Sequence, residues 1–142
     1  MAITTCVPTN AVTWILDGTH AVGDSYKIAL YNASASIDEA ATVYSSLNEA
    51  SGTGYSTGGL LLTGETRALD VPTGFSYISF SPASWPGATL PSIRGAVIYN
   101  TSKGNKILCV SDFGADLSVT ADTFVVNIPG TGYLGAVEAV NA

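Results

Sequence analysis

The chain has 142 residues and a net charge of −6, and only 11% of its residues are charged, against roughly 25% in an ordinary soluble domain. A monomer with so little charge exposes apolar surface and tends to associate, so we expect a subunit of an assembly. The five basic residues are dispersed and outnumbered by 11 acidic ones. This balance excludes a phosphate-binding basic patch and argues against nucleic acid and anionic membranes as partners.

Short runs in which every second residue is apolar predict β-strands along most of the chain. In the run from residue 26 to residue 31, the even-numbered residues point to one side and the odd-numbered residues to the other. Turn-forming Gly, Pro, Asn and Asp separate the runs. The predicted strands are Val12–Leu16, Tyr26–Tyr31, Gly59–Thr63, Phe75–Ser81, Arg94–Asn100, Lys106–Phe113, Leu117–Thr120 and Phe124–Ile128.

Two segments that follow the Tyr26–Tyr31 strand depart from this pattern. Ser36–Glu39 has the form of a helix capping box, and apolar residues between Ile37 and Tyr44 fall on one helical face. Because β-branched residues weaken this pattern, we expect either one short helix near residues 37–48 or an irregular loop. Ser51–Gly59 contains four glycines and predicts a long surface loop.

The best-defined hairpin joins Arg94–Asn100 to Lys106–Phe113. Ser102–Asn105 lies between these runs and contains Gly and Asn, which tight turns favour. Strict alternation in the second strand predicts one face with four residues and an opposite face with three. The first face would carry Ile107, Cys109, Ser111 and Phe113, and the second Leu108, Val110 and Asp112.

Eight or so short strands with Pro and Gly between them predict one all-β domain over residues 1–142. The expected architecture is an antiparallel β-sandwich or a jelly-roll-like barrel. Residues 1–10 are polar and contain Pro8, and residues 130–142 are small and apolar after a turn. We expect an N-terminal arm and a C-terminal segment that lie on neighbouring subunits.

The amino terminus and the cysteines bear on the compartment. The first residues lack the basic and apolar regions of a signal peptide, and no segment reaches the roughly 18 apolar residues of a membrane span. We therefore expect synthesis in the cytoplasm. Cys6 and Cys109 are too few for a disulfide framework, and Cys109 is expected to be a free thiol inside a strand.

The residues that could perform catalysis are sparse. His20 is the sole histidine, and it follows the turn-like Asp17-Gly18; Asp17 and Asp24 could orient it, but a surface turn histidine is the favoured interpretation. The chain has no Gly-x-Ser-x-Gly nucleophile elbow. Asp112, Asp116 and Asp122 lack the ordered spacing of a calcium loop. We expect no enzyme activity, no metal and no cofactor.

Three larger side chains have alternative interpretations. Trp14 lies in an alternating run and is expected in the core. Trp85 lies in a Pro- and Gly-rich segment, where tryptophan can cover a core, anchor an interface or stack on a sugar. Arg94 opens a strand in a nearly uncharged segment and is expected to tie down a loop or to pair with an acid such as Asp112.

Several segments between residues 48 and 129 together resemble a known family. They are Asn48-Glu49, Ser51-Gly52, Gly54-Tyr55, Gly58-Gly59, Trp85, Arg94–Asn100 and Asp112-Phe113-Gly114, followed by a Thr-rich strand ending at Pro129. This combination is similar to small β-rich virion structural proteins of tailed bacteriophages, which decorate or cement the head or belong to the tail. The resemblance implies no catalytic residues.

The expected function is a non-enzymatic capsid decoration (cement) protein, made in the host cytoplasm, that bridges major capsid subunits on the outer surface of the virion. Weak contacts suffice because several act at once. The alternatives are a phage tail or head–tail adaptor component and, in another class, a carbohydrate-binding module that uses Trp85. The expected interface residues are Ile3, Val7, Tyr55, Trp85, Tyr133 and Leu134.

Overall fold

The structure, a computed structural model, describes residues 3–70, 75–128 and 138–141, with side chains described for residues 3–67 and 78–128. Strands dominate these residues, all strand pairs in the sheets are antiparallel, and one short α-helix accompanies them. The predicted all-β class is therefore confirmed. In chain order the elements are α1 (Thr9–Leu16), β1 (Tyr26–Asn32), β2 (Leu60–Leu61), β3 (Thr66–Asp70), β4 (Phe75–Ser79), β5 (Ala83–Asn100), a 3-10 helix (Thr101–Lys103), β6 (Lys106–Asn127) and β7 (Glu138–Asn141).

Two sheets form from these strands. The larger has the order β2-β1-β5-β6-β7, and the smaller pairs β3 with β4. The predicted hairpin is confirmed, with Asn100 and Lys106 as its last pair before a turn in which Gly104 and Asn105 have positive φ. The hairpin is longer than predicted, because β6 also contains the two strands predicted at 117–120 and 124–128. The strand β3 was not predicted.

The two faces of strand β1 contain the residues that its alternation predicts, and both faces are buried. Tyr26, Ile28 and Leu30 belong to a main core, whereas Ala29 and Tyr31 belong to a second core on the other face. The main core also contains Leu62, Ile78, Phe80, Trp85, Leu90, Ile93, Ile98, Leu108, Phe124 and Val126. The second core also contains Ile3, Ala35, Val97, Tyr99, Ile107 and Val110.

The predicted faces of the hairpin's second strand are wrong for Ile107 and Leu108, because a β-bulge interrupts the alternation there, whereas Cys109 and Val110 lie on the predicted opposite faces. Ile98 pairs with Cys109, but the next residue, Tyr99, pairs with Ile107, which leaves Leu108 as the extra residue. Such an insertion shifts the register by one and moves later side chains to the opposite face. Leu108 and Cys109 therefore both enter the main core.

Residues 12–16 are helical, which corrects the predicted strand Val12–Leu16. Helix α1 begins after Pro8 and ends at Asp17, followed by Gly18 with φ +84°. A glycine with positive φ at this position is a common helix stop, so the Asp17-Gly18 turn signal marks the end of a helix. Ala11 is buried, whereas Val12 and Leu16, four residues apart, are exposed on one face of α1.

Residues 37–48 form an irregular loop, and the one short α-helix of the structure is instead α1. Ile37 pairs with Ile3 and Val43 pairs with Lys106 as isolated β-bridges, which hold the loop extended. The side chain of Asp38 accepts a bond from Ala40 N at 2.9 Å, so the capping-box signal is used in a turn. The glycine-rich Ser51–Gly59 is also irregular, as predicted.

The N-terminal residues pack against the body of the same chain. Cys6 and Val110 exchange two backbone hydrogen bonds at 2.9 and 2.8 Å, and Thr4 N donates to Ile37 O at 2.8 Å. The arm predicted at residues 1–10 therefore pairs with its own sheet from residue 3 onward. Of the predicted C-terminal segment 130–142, only the backbone of β7 lies within the described residues, where it pairs with β6.

Strand β6 contains one residue other than glycine whose backbone conformation favours glycine. Ala121 has φ +48°, a left-handed conformation that costs an L-residue roughly 1–2 kcal/mol. Ala121→Gly should raise the free energy of unfolding by about 0.5 kcal/mol, because the gain is partly offset by the greater freedom of the unfolded glycine. Urea denaturation measures the change. Ala115→Gly, exposed in the same strand, should instead lower stability by about 0.5–1 kcal/mol; equal effects of the two variants would contradict the prediction.

Candidate functional site

The described surface carries six large apolar side chains that are 45–83% exposed. They lie on α1 and the loop after it, on the irregular loop 37–48, and on the edge strand β2. Exposed apolar side chains that occur in groups mark interaction surfaces more often than isolated ones do. The residues are Val12, Leu16, Val22, Val43, Leu47 and Leu61.

Val43 and Leu47 stand beside a groove of about 250 Å³ between the loop 37–48 and the larger sheet. Tyr31, Val97 and Ile107, all members of the second core, contribute sheet residues to its lining. The groove exists because the irregular loop crosses this face of the sheet without a regular element that could cover it completely. The two exposed side chains add apolar area to its lining.

The chemistry of this groove suits binding more than catalysis. Its polar lining residues are Ser36, Ser45, Asn48 and Tyr31, and none of its described lining residues carries a charge. Tyr31 donates a hydrogen bond to Ser45 O at 2.7 Å, and burial, followed by the nearby Glu49 carboxylate, raises the pKa of its phenol. A phenol that stays protonated is a poor general base at neutral pH. An uncharged partner group is therefore the best match to this site.

Glu49 lies beside the groove and fastens the surrounding loops. Its carboxylate accepts hydrogen bonds from Tyr44 Oη at 2.5 Å, Tyr55 Oη at 2.7 Å and Gly58 N at 2.7 Å. Burial and the bond to Glu49 raise the pKa of both phenols. Because the carboxylate receives three donors from its own chain, it acts as a structural anchor.

Tyr55 extends this anchor to the edge of the sheet. Its hydroxyl accepts a bond from Leu30 N at 2.9 Å while it donates to Glu49. Asn32 N and Leu30 O of the same strand bond to Asn48 O and Ala50 N. The outer edge of β1 is thus covered by the loop instead of being open to another strand, which protects against edge-to-edge association.

His20 is buried, 1% exposed, which corrects the predicted surface turn. Both of its ring nitrogens are engaged: Nε2 lies 3.1 Å from Ile107 O, and Nδ1 lies 3.2 Å from Asn100 Nδ2. Asp24 reaches the histidine only through Asn100, whose Nδ2 donates to Asp24 Oδ2 at 2.8 Å. A histidine whose two nitrogens bond to its own protein has neither nitrogen available to activate a nucleophile.

The predicted pairing of Arg94 with Asp112 is confirmed at 2.8 Å, and Asp116 lies 3.5 Å from the same guanidinium. Two of the three acids considered for calcium therefore contact an arginine. Among the described residues, no group of three or more His, Cys, Asp or Glu is arranged to hold a metal ion.

The predicted interface residues differ in how far their side chains are exposed. Ile3 and Trp85 are only 4% and 3% exposed, so their side chains pack within this chain and present little surface to a partner. Val7 is half-buried against the main core. Tyr55 is also half-buried, with its hydroxyl bound to Glu49. Tyr133 and Leu134 lie outside the described residues.

Sequence reasoning missed the residues that form the groove and its anchor. Val43 and Leu47 lie in the segment interpreted as either a short helix or an irregular loop, and neither was identified as part of a binding surface. Glu49 carried a usable signal, since it is the only charged residue between positions 40 and 64 and lies among tyrosines. A lone charge in an apolar segment is usually paired.

Comparisons with known proteins give no relative from which function could be transferred. No family model, no curated protein and no solved structure matches this chain. Among the described residues, no helix is long and apolar enough to cross a membrane.

Proposed function

We propose that this chain is a non-enzymatic structural protein of a bacteriophage virion, which binds the outer capsid surface and bridges major capsid subunits. The observation that carries the proposal is the group of exposed apolar side chains on a body with only 11% charged residues. Burial of each such side chain against a partner is worth about 1.5–3 kcal/mol at most. Many copies that each bury a few of them give strong attachment from weak contacts.

The titratable groups also support a structural role. His20 and Glu49 bond to groups of the same chain and hold loops to the larger sheet, and Arg94 joins β5 to β6. The groove beside Glu49 contains no charged lining residue among those described. These side chains stabilise a surface more readily than they assemble a reaction centre.

A sugar-binding role has less support. A stacking platform requires an accessible aromatic face, but Trp85 is buried between the rings of Tyr55 and Phe124, whose centroids lie 6.0 and 6.2 Å from its own. Trp85→Ala would therefore disturb the main core rather than a glycan site. No exposed aromatic side chain replaces it among the described residues.

The test measures binding to phage heads that lack this protein. Purified chain is mixed with heads from the phage that encodes it, and cosedimentation gives the Kd and the number of copies bound. Leu16→Ser, Leu47→Ser and Leu61→Ser each alter a different exposed apolar area, and at least one should raise the Kd by tenfold or more. Thr57→Ser, an exposed polar position, serves as the control and should leave the Kd unchanged.

Two results would contradict the proposal. The first is a wild-type chain that fails to bind heads, and the second is equal binding by all three leucine variants and the control. Labelled protein found only at the tail in electron micrographs would support the tail or head–tail adaptor alternative instead.

A further inference from the structure

His20 joins residues 9–25, which comprise α1 and the loop to β1, to the rest of the molecule. His20 N donates to Trp14 O at 2.9 Å within this segment. Its ring bonds to Asn100 at the end of β5 and to Ile107 in β6, and its carbonyl accepts from Arg67 Nη1 in β3 at 2.9 Å. The ring thus ties the middle of this segment to the hairpin, while Asp24 and Ser25 near its end bond separately to Lys103 and Thr101.

The hydrogen-bond partners determine the protonation state of the ring. A carbonyl oxygen only accepts, so Ile107 O requires a proton on Nε2. An amide NH₂ group only donates, so Asn100 Nδ2 requires a bare Nδ1. The ring is therefore neutral, with its single proton on Nε2. A second proton on Nδ1 would place two donors against each other at 3.2 Å.

Asn100 cannot relieve this conflict by rotating its amide. In the present orientation, Nδ2 donates to Asp24 Oδ2 at 2.8 Å and Oδ1 accepts from Ser102 N at 2.9 Å. Rotation would place an oxygen against the Asp24 carboxylate and an NH₂ group against a backbone N–H. Both bonds of a fully buried asparagine would be lost.

The charged and titratable surroundings add to this preference. Among the described groups, the cations Arg67 and Lys103 and the anion Asp24 act electrostatically on the ring. Asp24 is already bound to Lys103 Nζ at 2.8 Å. Trp14 and Tyr26 pack against the imidazole with ring centroids 5.7 and 6.1 Å away. The groups facing His20 are Asp17 and Asp24 in its own segment, Tyr26 in β1, Arg67 with its partner Glu65, Lys103 in the 3-10 helix, and Lys106, whose Nζ lies over the Trp14 ring.

We propose that His20 is an acid-sensitive latch: a proton taken up from solvent by Nδ1 breaks the bond to Asn100 and releases residues 9–20 from the hairpin, while the bonds of Asp24 and Ser25 and the larger sheet stay in place. The sheet keeps its register because β1, β5 and β6 pair through their backbones. Release uncovers Ile15, which packs against the main core, and Trp14, which lies under Lys106 Nζ, and so adds apolar area next to the exposed Val12 and Leu16. The latch therefore increases the surface available for association in acid.

The pH range follows from proton linkage. Burial, ahead of the nearby cations, lowers the pKa of His20 below its ordinary value of 6.5. The closed state binds fewer protons than the open state, so closing is favoured above pH 6.5 and is progressively lost as the pH falls below it. Asp24 does not contribute in this pH range. Burial acts to raise the pKa of its carboxyl group, but hydrogen bonds from Lys103, Asn100 and Ala21 lower that pKa to about 2.

The experiment is amide hydrogen exchange on the whole chain between pH 7.5 and 4.5, corrected for intrinsic rates. The opening constant of residues 9–20 should rise by up to about tenfold for each pH unit below 6.5, while that of β1, β5 and β6 changes much less. Because His20 is the sole histidine, its ring ¹⁵N shifts report one titration and should show Nε2–H at pH 7.5. His20→Gln should remove the pH dependence of the segment.

Wild-type protein alone keeps the test decisive if the variant fails to fold. Titration of the ring near pH 6.5 without faster exchange of residues 9–20 would overturn the latch. So would loss of protection by the segment and the sheet at the same pH, because that result means global unfolding.

Discussion

Gly59→Ala should lower the free energy of unfolding by about 4 kcal/mol, the largest effect expected for a methyl group added at any of the described glycines. Gly59 has φ +83°, and an added Cβ would lie 1.8 Å from Ile28 O and 2.9 Å from Ala29 Cα. The obstacle is the backbone of the buried strand β1, so it cannot move aside as a flexible side chain can. Urea denaturation at pH 7 measures the loss.

The neighbouring glycine provides a matched control. Gly58 also has a positive φ, +98°, but an added Cβ would meet only Tyr99 Oη at 3.5 Å, an ordinary contact. Gly58→Ala should therefore cost only about 1 kcal/mol, from backbone strain alone. If both variants lost the same stability, the close approach of the loop to β1 would be refuted.

Glu49→Ala should lower the free energy of unfolding by about 3 kcal/mol. The substitution leaves Tyr44 Oη, Tyr55 Oη and Gly58 N without their acceptor in a half-buried site, and each lost bond to a charged group costs about 1 kcal/mol after partial solvation. Glu49→Gln keeps one carbonyl acceptor and should lose about half as much. Thermal and urea unfolding give the two values.

Glu39→Ala is the control for general loss of negative charge. Glu39 is exposed, and its replacement should change stability by less than about 0.5 kcal/mol. A double-mutant cycle with Tyr55→Phe then isolates the pair, and a coupling energy of at least about 0.5 kcal/mol is expected. A coupling of zero would mean that the two side chains act independently.

The fold class was predictable because strand periodicity is a local property of the sequence. Alternation in residues 26–31 correctly predicted the strand and which residues share a face, whereas the burial of the second face against its own core was not predicted. The same reasoning failed at residues 12–16, where the pattern of Val12, Trp14 and Leu16 also allows a helix. Pro8 and Gly18 mark the ends of that helix, and these signals outweigh a short alternating run.

The candidate site was largely beyond prediction. The groove depends on where the loop 37–48 crosses the sheet, and its bridges join residues more than 30 and 60 positions apart in the sequence, at Ile3–Ile37 and Val43–Lys106. The Glu49 anchor likewise unites Tyr44, Tyr55 and Gly58 from different turns of one irregular loop. No periodicity reports such contacts.

Composition and local pattern alone established a sparsely charged, strand-rich chain with a Gly-Asn hairpin turn, since charge count and turn chemistry need no partner elsewhere in the chain. Tertiary structure alone decided that His20 and Trp85 are buried. It also decided that a bulge at Leu108 places Ile107 and Leu108 on the faces opposite to those predicted. The physical reason is that burial and hydrogen-bond partnership are set by distant segments. A local signal specifies which conformations a residue can adopt, and packing selects among them.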